Sequence, residues 1–125
     1  MKNILVIGAT GQIGSELTMK LRNIYGNDHV VCGYIPSAKP QGDLKASGPY
    51  EICDVTNPEQ IATVALKHRV DTIYNLAALL SVVAEGRPQL AWKIGIDGLW
   101  NVLEVAREHN IAVFTPSSIG SFGPE

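Results

Sequence analysis

Three glycines set three residues apart, Gly8, Gly11 and Gly14, are the residues best suited to chemistry in this sequence, and the chemistry is the holding of a phosphate. Gly8 lets the chain turn sharply, Gly11 leaves room for a pyrophosphate against the backbone, and Gly14 lets a helix lie close on a strand. The flanking residues supply that strand and helix. Ile4 to Ile7 is a short apolar run, and Ile13, Leu17, Leu21 and Ile24 recur at three or four residues, which predicts one face of a helix. A helix that starts straight after such a turn points unpaired N–H groups and the positive end of its dipole at an anion. Strand, glycine turn and helix together predict a nucleotide site.

Other positions gain meaning from this frame. About 20 residues beyond the glycines a dinucleotide fold carries an acidic residue at the end of its second strand, where it accepts hydrogen bonds from the adenosine ribose. Tyr34 stands there, with Ser37 and Lys39 as the nearby polar groups. Asp54 follows a third strand and faces the same crevice, as an adenine contact or as a purely structural carboxylate. Ala77 and Ala78 directly follow a fourth strand, and their small side chains suit either the wall of a cofactor cleft or close packing. A serine-rich run, Pro116 to Pro124, follows the fifth strand.

The elements that must position these residues alternate regularly. Strands are expected at Ile4 to Ile7, His29 to Ile35, Tyr50 to Cys53, Thr72 to Leu76 and Ala112 to Thr115. Between them lie the first helix, a polar loop from Pro36 to Pro49, and a helix opened by Thr56 or Asn57 as cap with Pro58 in its first turn. That second helix carries Ile61, Val64, Ala65 and His68. A long third one starts near Pro88, bears Trp92 and Trp100, and continues its apolar face through Leu99, Val102, Leu103 and Ala106. The pattern predicts a Rossmann-like α/β fold: a doubly wound parallel sheet in the order 3-2-1-4-5, helices on both faces, one domain over residues 1–125.

Composition narrows the function classes. A net charge of −2 gives no basic surface for nucleic acid, and hydrophobic residues at 46% suit a globular domain. No apolar run approaches the ~18 residues of a membrane helix, and a strand beginning at residue 3 or 4 leaves no leader, so a cytoplasmic protein is expected. Cys32 and Cys53 fall in strands without metal or redox spacing and read as buried thiols. His29, His68 and His109 read as solvated boundary residues, and no metal site is expected.

The glycine spacing resembles the fingerprint of the extended, NAD-dependent epimerase/dehydratase-like branch of the short-chain dehydrogenase/reductase superfamily, with Ile7 where that branch usually has Thr. G-A-T-G-Q-I-G-S-E-L, S-G-P-Y-E, N-L-A-A-L-L-S-V-V-A-E, A-W-K-I-G-I-D-G-L-W-N-V-L-E-V-A and P-S-S-I-G-S-F-G-P-E, in this order, are similar to the N-terminal part of the short-chain L-threonine 3-dehydrogenase family. The resemblance implies NAD-dependent oxidation of L-threonine to L-2-amino-3-oxobutyrate, a role in threonine catabolism, and a homodimer paired through the long helix. It implies that Gly8, Gly11, Gln12, Ile13 and Gly14 hold the pyrophosphate, Tyr34 the ribose place, Asp54 and Val55 the adenine, and Leu76, Ala77 and Ala78 the nicotinamide half. Ser81 would contact the threonine amino or carboxylate group. Ser118 would occupy the active-site Ser/Thr place and hydrogen-bond the substrate hydroxyl.

Three departures accompany the resemblance. Tyr34 replaces the ribose-binding Asp, which leaves NADP open beside NAD. Gly95 replaces an Asn of the long helix, and Gly95 with Gly98 costs that helix ~1 kcal/mol per residue relative to Ala unless close packing compensates. None of Tyr25, Tyr34, Tyr50 and Tyr74 begins the Tyr-x-x-x-Lys pair that serves as acid and base. Two alternatives therefore stand beside the dehydrogenase: a nucleotide-sugar epimerase or dehydratase, and a non-catalytic dinucleotide-binding module.

Overall fold

The computed structural model describes residues 2–77 and 88–115, and of residues 88–95 only the backbone. Ile4–Ile7 forms β1, and all four of its residues are buried. A strand apolar on both faces belongs in the middle of a parallel sheet covered by helices, and β1 sits there, between β2 (Val30–Tyr34) and β4 (Thr72–Asn75). With β3 (Tyr50–Ile52) and β5 (Ala112–Phe114) at the edges, the order is 3-2-1-4-5 and every pairing is parallel. The expected strands are all present, with ends that differ by at most one residue.

Alternation along β1 divides the core into two layers. Leu5 and Ile7 join Val31, Ile73, Ile61 and Val64 beneath α3 (Pro58–Lys67) and the long helix α4 (Pro88–His109). Ile4 and Val6 pack with Val30, Cys32, Leu21 and Leu44 on the other side, beneath α1 (Gln12–Tyr25) and the short α2 (Gly42–Ala46). Helix α3 starts as its sequence dictates: the Asn57 side chain accepts from the Gln60 N–H at 3.1 Å, with Pro58 at the first helical position. Both cysteines are buried free thiols; burial raises Cys32 to about 11 and Cys53 to about 12.

Several expectations need correction. The buried face of α1 is Gly14, Thr18, Leu21 and Arg22, while Ile13 and Ile24 are each 60% exposed. The close seat of Gly14 on the glycine turn rotates the helix by about one residue. The segment between β2 and β3 is not only a loop, because α2 lies within it. Arg22 explains both findings. Arg22 is 2% exposed and its guanidinium donates to Val30 O (3.1 Å), Leu44 O (2.6 Å), Ser47 Oγ (3.0 Å) and Pro49 O (2.7 Å), so it knots α1 to the start of β2 and to the far end of the β2–β3 connection. Burial lowers its pKa, and satisfied hydrogen bonds are what make a buried cation tolerable.

Two of the three histidines are engaged. His68 Nε2 lies 2.7 Å from Glu51 Oε2, a carboxylate also met by Lys67 at 2.9 Å, and His29 Nδ1 lies 2.9 Å from Asn3 Oδ1. In α4 the buried face is Val102, Val105 and Ala106, whereas Leu103 is exposed and Trp100 is 65% exposed. Gly98 does find its compensating contact: a Cβ there would stand 2.8 Å from Val55 Cβ. Among the described residues, no helix is long and apolar enough to cross a membrane.

Candidate dinucleotide site

The site is built where β1 stops. Gly8 adopts φ +78°, a conformation costly for any residue with a Cβ. A methyl group there would stand 2.9 Å from the Ala77 nitrogen, so the turn rests directly on the chain leaving β4. The Gly33 carbonyl accepts from both Gly8 N–H and Ala9 N–H at 3.1 Å, binding the turn to the end of β2. Gly33 is itself closely packed, its missing Cβ 2.9 Å from the Val6 carbonyl oxygen. Gly14 closes the unit from above, for a Cβ there would collide with the carbonyl of Gly8.

Gly11 is the N-cap of α1, in extended conformation and without a side-chain cap, and the first turn has no acidic residue. The opening N–H groups of the helix are therefore left for an external acceptor, with the positive end of the dipole behind them. Thr10 Oγ1 is buried and has no hydrogen-bond partner among the described residues. An uncapped helix start, a backbone that glycine alone permits and an orphaned hydroxyl beside it fit an anionic phosphate ligand. The chemistry available in this half is binding and orientation of a nucleotide.

The other residues singled out from the sequence take definite positions. Tyr34 ends β2, one residue after the carbonyl that holds the turn, and its ring centroid lies 6.1 Å from that of Tyr50. Asp54 follows β3 and accepts through Oδ1 from the Thr56 N–H and hydroxyl at 2.9 and 2.8 Å, so one of its oxygens serves the local turn. Val55 is buried under Gly98 of α4. The Leu76 N–H donates to Ile7 O at 2.9 Å, and Ala77 is held by Asn75 Oδ1 at 3.3 Å, which brings both to the wall of the turn. Gln12 and Ile13 are exposed at the start of α1. The structure thus groups Gly8, Gly11, Gln12, Ile13, Gly14, Tyr34, Asp54, Val55, Leu76 and Ala77 at the carboxyl ends of the strands, while Ala78, Ser81 and Ser118 lie outside the described residues. Arg22 is the residue that sequence reasoning passed over. An arginine inside an apolar repeat, followed by the G-D-L-K-A-S-G-P run, was the available signal.

The family model for the NAD dependent epimerase/dehydratase family matches residues 4–125. The chain belongs to that family. An uncharacterized epimerase/dehydratase of Staphylococcus saprophyticus is 48% identical over 124 residues, which are 99% of this chain and 38% of the relative. Among solved structures, L-threonine dehydrogenase from Clostridium difficile is 48% identical with a TM-score of 0.85 over 98% of this chain. The holo form of a GalE-like L-threonine dehydrogenase from Cupriavidus necator is 41% identical with a TM-score of 0.81, again over 98% of this chain. The chain spans 38% of the staphylococcal and clostridial proteins and 39% of the Cupriavidus one. Membership of the epimerase/dehydratase family and the holo-form neighbour support a nicotinamide dinucleotide cofactor, and the threonine dehydrogenase neighbours support an oxidoreductase-type family.

Proposed function

We propose that these residues are the cofactor-binding, N-terminal part of an NAD-dependent L-threonine 3-dehydrogenase. The observation that carries the reading is the glycine turn clamped between Gly33 and Ala77 at an uncapped helix start, in a chain 48% identical to a threonine dehydrogenase of the same fold. Bound dinucleotide would supply the hydride acceptor. The chain's own residues bind and orient it: Gly8, Gly11, Gln12, Ile13 and Gly14 at the pyrophosphate, Tyr34 at the ribose, Asp54 and Val55 at the adenine, and Leu76, Ala77 and Ala78 along the nicotinamide half. Ser118 hydrogen-bonds the threonine hydroxyl as hydride leaves its carbon, and Ser81 contacts the amino or carboxylate group. Removal of the hydroxyl proton requires a base of tuned pKa within reach, and the 125 residues contain no Tyr-x-x-x-Lys pair to supply one. The working enzyme is a cytoplasmic homodimer paired through α4, where Ile96, Trp100 and Leu103 are exposed.

Two assays test the proposal. A protein carrying these residues at the length of the relatives should form NADH in the presence of threonine, and the 125-residue chain alone should bind dinucleotide without turnover. Conversion of a UDP-sugar with no response to threonine would replace the reading by an epimerase or dehydratase. Dinucleotide binding with neither activity in the longer protein would leave a non-catalytic module.

A further inference from the structure

The end of β2 shows how this site treats the 2′ position of the adenosine ribose. Discrimination against a 2′-phosphate ordinarily comes from a carboxylate at the end of the second strand, which accepts from a 2′-hydroxyl and repels a phosphate dianion. The backbone here keeps that place: the Gly33 carbonyl holds the N–H groups of Gly8 and Ala9, and Tyr34 is the next residue. The side chain is a half-buried phenol leaning on Tyr50.

Of the two nearby carboxylates, Glu51 is turned away from the strand end and Asp54 gives one oxygen to its own turn. Glu51, the register partner of Gly33, is held by Lys67 at the end of α3 and by His68 just after it, on the face of the sheet opposite Tyr50 and Tyr34. Asp54 has Oδ1 committed to Thr56. The chain then folds back on itself, the Ala38 N–H donating to Ile35 O at 2.9 Å, so that Ser37 and Lys39 stay beside the strand end and both are exposed. Arg22 fixes the far end of this connection at Leu44, Ser47 and Pro49. A neutral phenol, a hydroxyl and an ammonium on a tethered turn form an environment that accepts a phosphate dianion as readily as a hydroxyl.

Resting on the dinucleotide reading above, we infer that Tyr34 makes this site indifferent to the 2′-phosphate, so that NAD and NADP bind with comparable affinity, and that Lys39 supplies the charge that meets the phosphate. Tyr34 can donate from its phenol to either ribose substituent and repels neither.

Calorimetric titration of the protein with NAD and with NADP tests the inference. The two dissociation constants should agree within about tenfold, a range small beside the effect of a like charge at hydrogen-bond distance. Tyr34→Asp should weaken NADP by roughly thirtyfold or more relative to NAD, whereas Tyr34→Asn, of similar size but uncharged, should leave the ratio near that of the wild type. Lys39→Ala, at an exposed position, should weaken NADP alone. A wild-type preference for either dinucleotide beyond about tenfold, or a ratio that Tyr34→Asp does not move, overturns the inference while leaving the dinucleotide site intact. Failure of the wild type to bind either dinucleotide overturns the site itself, and the inference with it.

Discussion

Gly8 and Ala77 touch backbone to backbone, so closely that a single methyl group on Gly8 would stand 2.9 Å from the Ala77 nitrogen. Two sequence-distant segments thereby share one wall of the phosphate turn. Gly8→Ala must both abandon a φ of +78° and push β4's exit away. We expect dinucleotide affinity to fall at least about tenfold and stability by about 2 kcal/mol, the scale of overpacking and backbone strain combined. Gly14→Ala should do likewise through the Gly8 carbonyl. Titration calorimetry and urea unfolding read the two effects separately.

Arg22→Met should cost about 3 kcal/mol or more, because it removes charged donors and strands the carbonyls of Val30, Leu44 and Pro49. Arg22→Lys should recover only part of that loss, since an ammonium cannot span four acceptors on diverging elements. Urea midpoints of the three proteins order the prediction as wild type, then Lys, then Met.

Glu51 makes a specific contribution to the acid limb of stability. Burial alone would raise its pKa, but hydrogen bonds and charge from Lys67 and His68 outweigh this and hold it below the ordinary 4.5. A carboxylate with a depressed folded-state pKa contributes stability that is fully present above its unfolded value and is lost as pH falls through the folded one. Glu51→Gln should therefore be less stable than wild type at neutral pH, with the difference closing below about pH 4.5. A stability difference that stays constant between pH 7 and 3 would contradict this assignment.

The chain leaves helices α3 and α4 through a residue with positive φ, Arg69 at 53° and Asn110 at 58°. The N–H groups of Val70 and Ile111 reach back to Ala65 and Ala106 at 2.9 Å, the hydrogen bond of a glycine-type helix stop. Arg69→Gly should stabilise the fold by about 0.5–1 kcal/mol, the left-handed cost removed less the extra chain entropy of glycine. Asn110→Gly should gain less, since Asn already tolerates this conformation. Thermal midpoints of both variants provide the check.

The sheet order and the phosphate turn were legible because each rests on local pattern: apolar runs at strand length, glycines at fixed spacing, Asn57-Pro58 at a helix start. The rest depended on contacts that spacing does not encode. Arg22 passed unnoticed because its partners lie at the start of the next strand and beyond it, in a stretch whose glycines and prolines concealed α2. His68 looked solvated until parallel pairing brought Glu51 of an edge strand beneath it. The adenine assignment of Asp54 had stood level with a structural one, and the Thr56 hydrogen bonds show that the carboxylate does have a structural task.

The position of β1 also dictates an order of assembly. Its residues pair on one side with Val30 to Gly33 and on the other with Thr72 to Asn75, so the strand made first waits longest for its second neighbour. During synthesis, Gly8 leaves the ribosome long before the segment that will press against it. Long-range parallel pairing of this kind is slow, because chain must be looped before contact rewards it. Competence to grip a phosphate therefore arrives only when β4 docks, which makes ligand capture by the nascent chain a direct readout of that step.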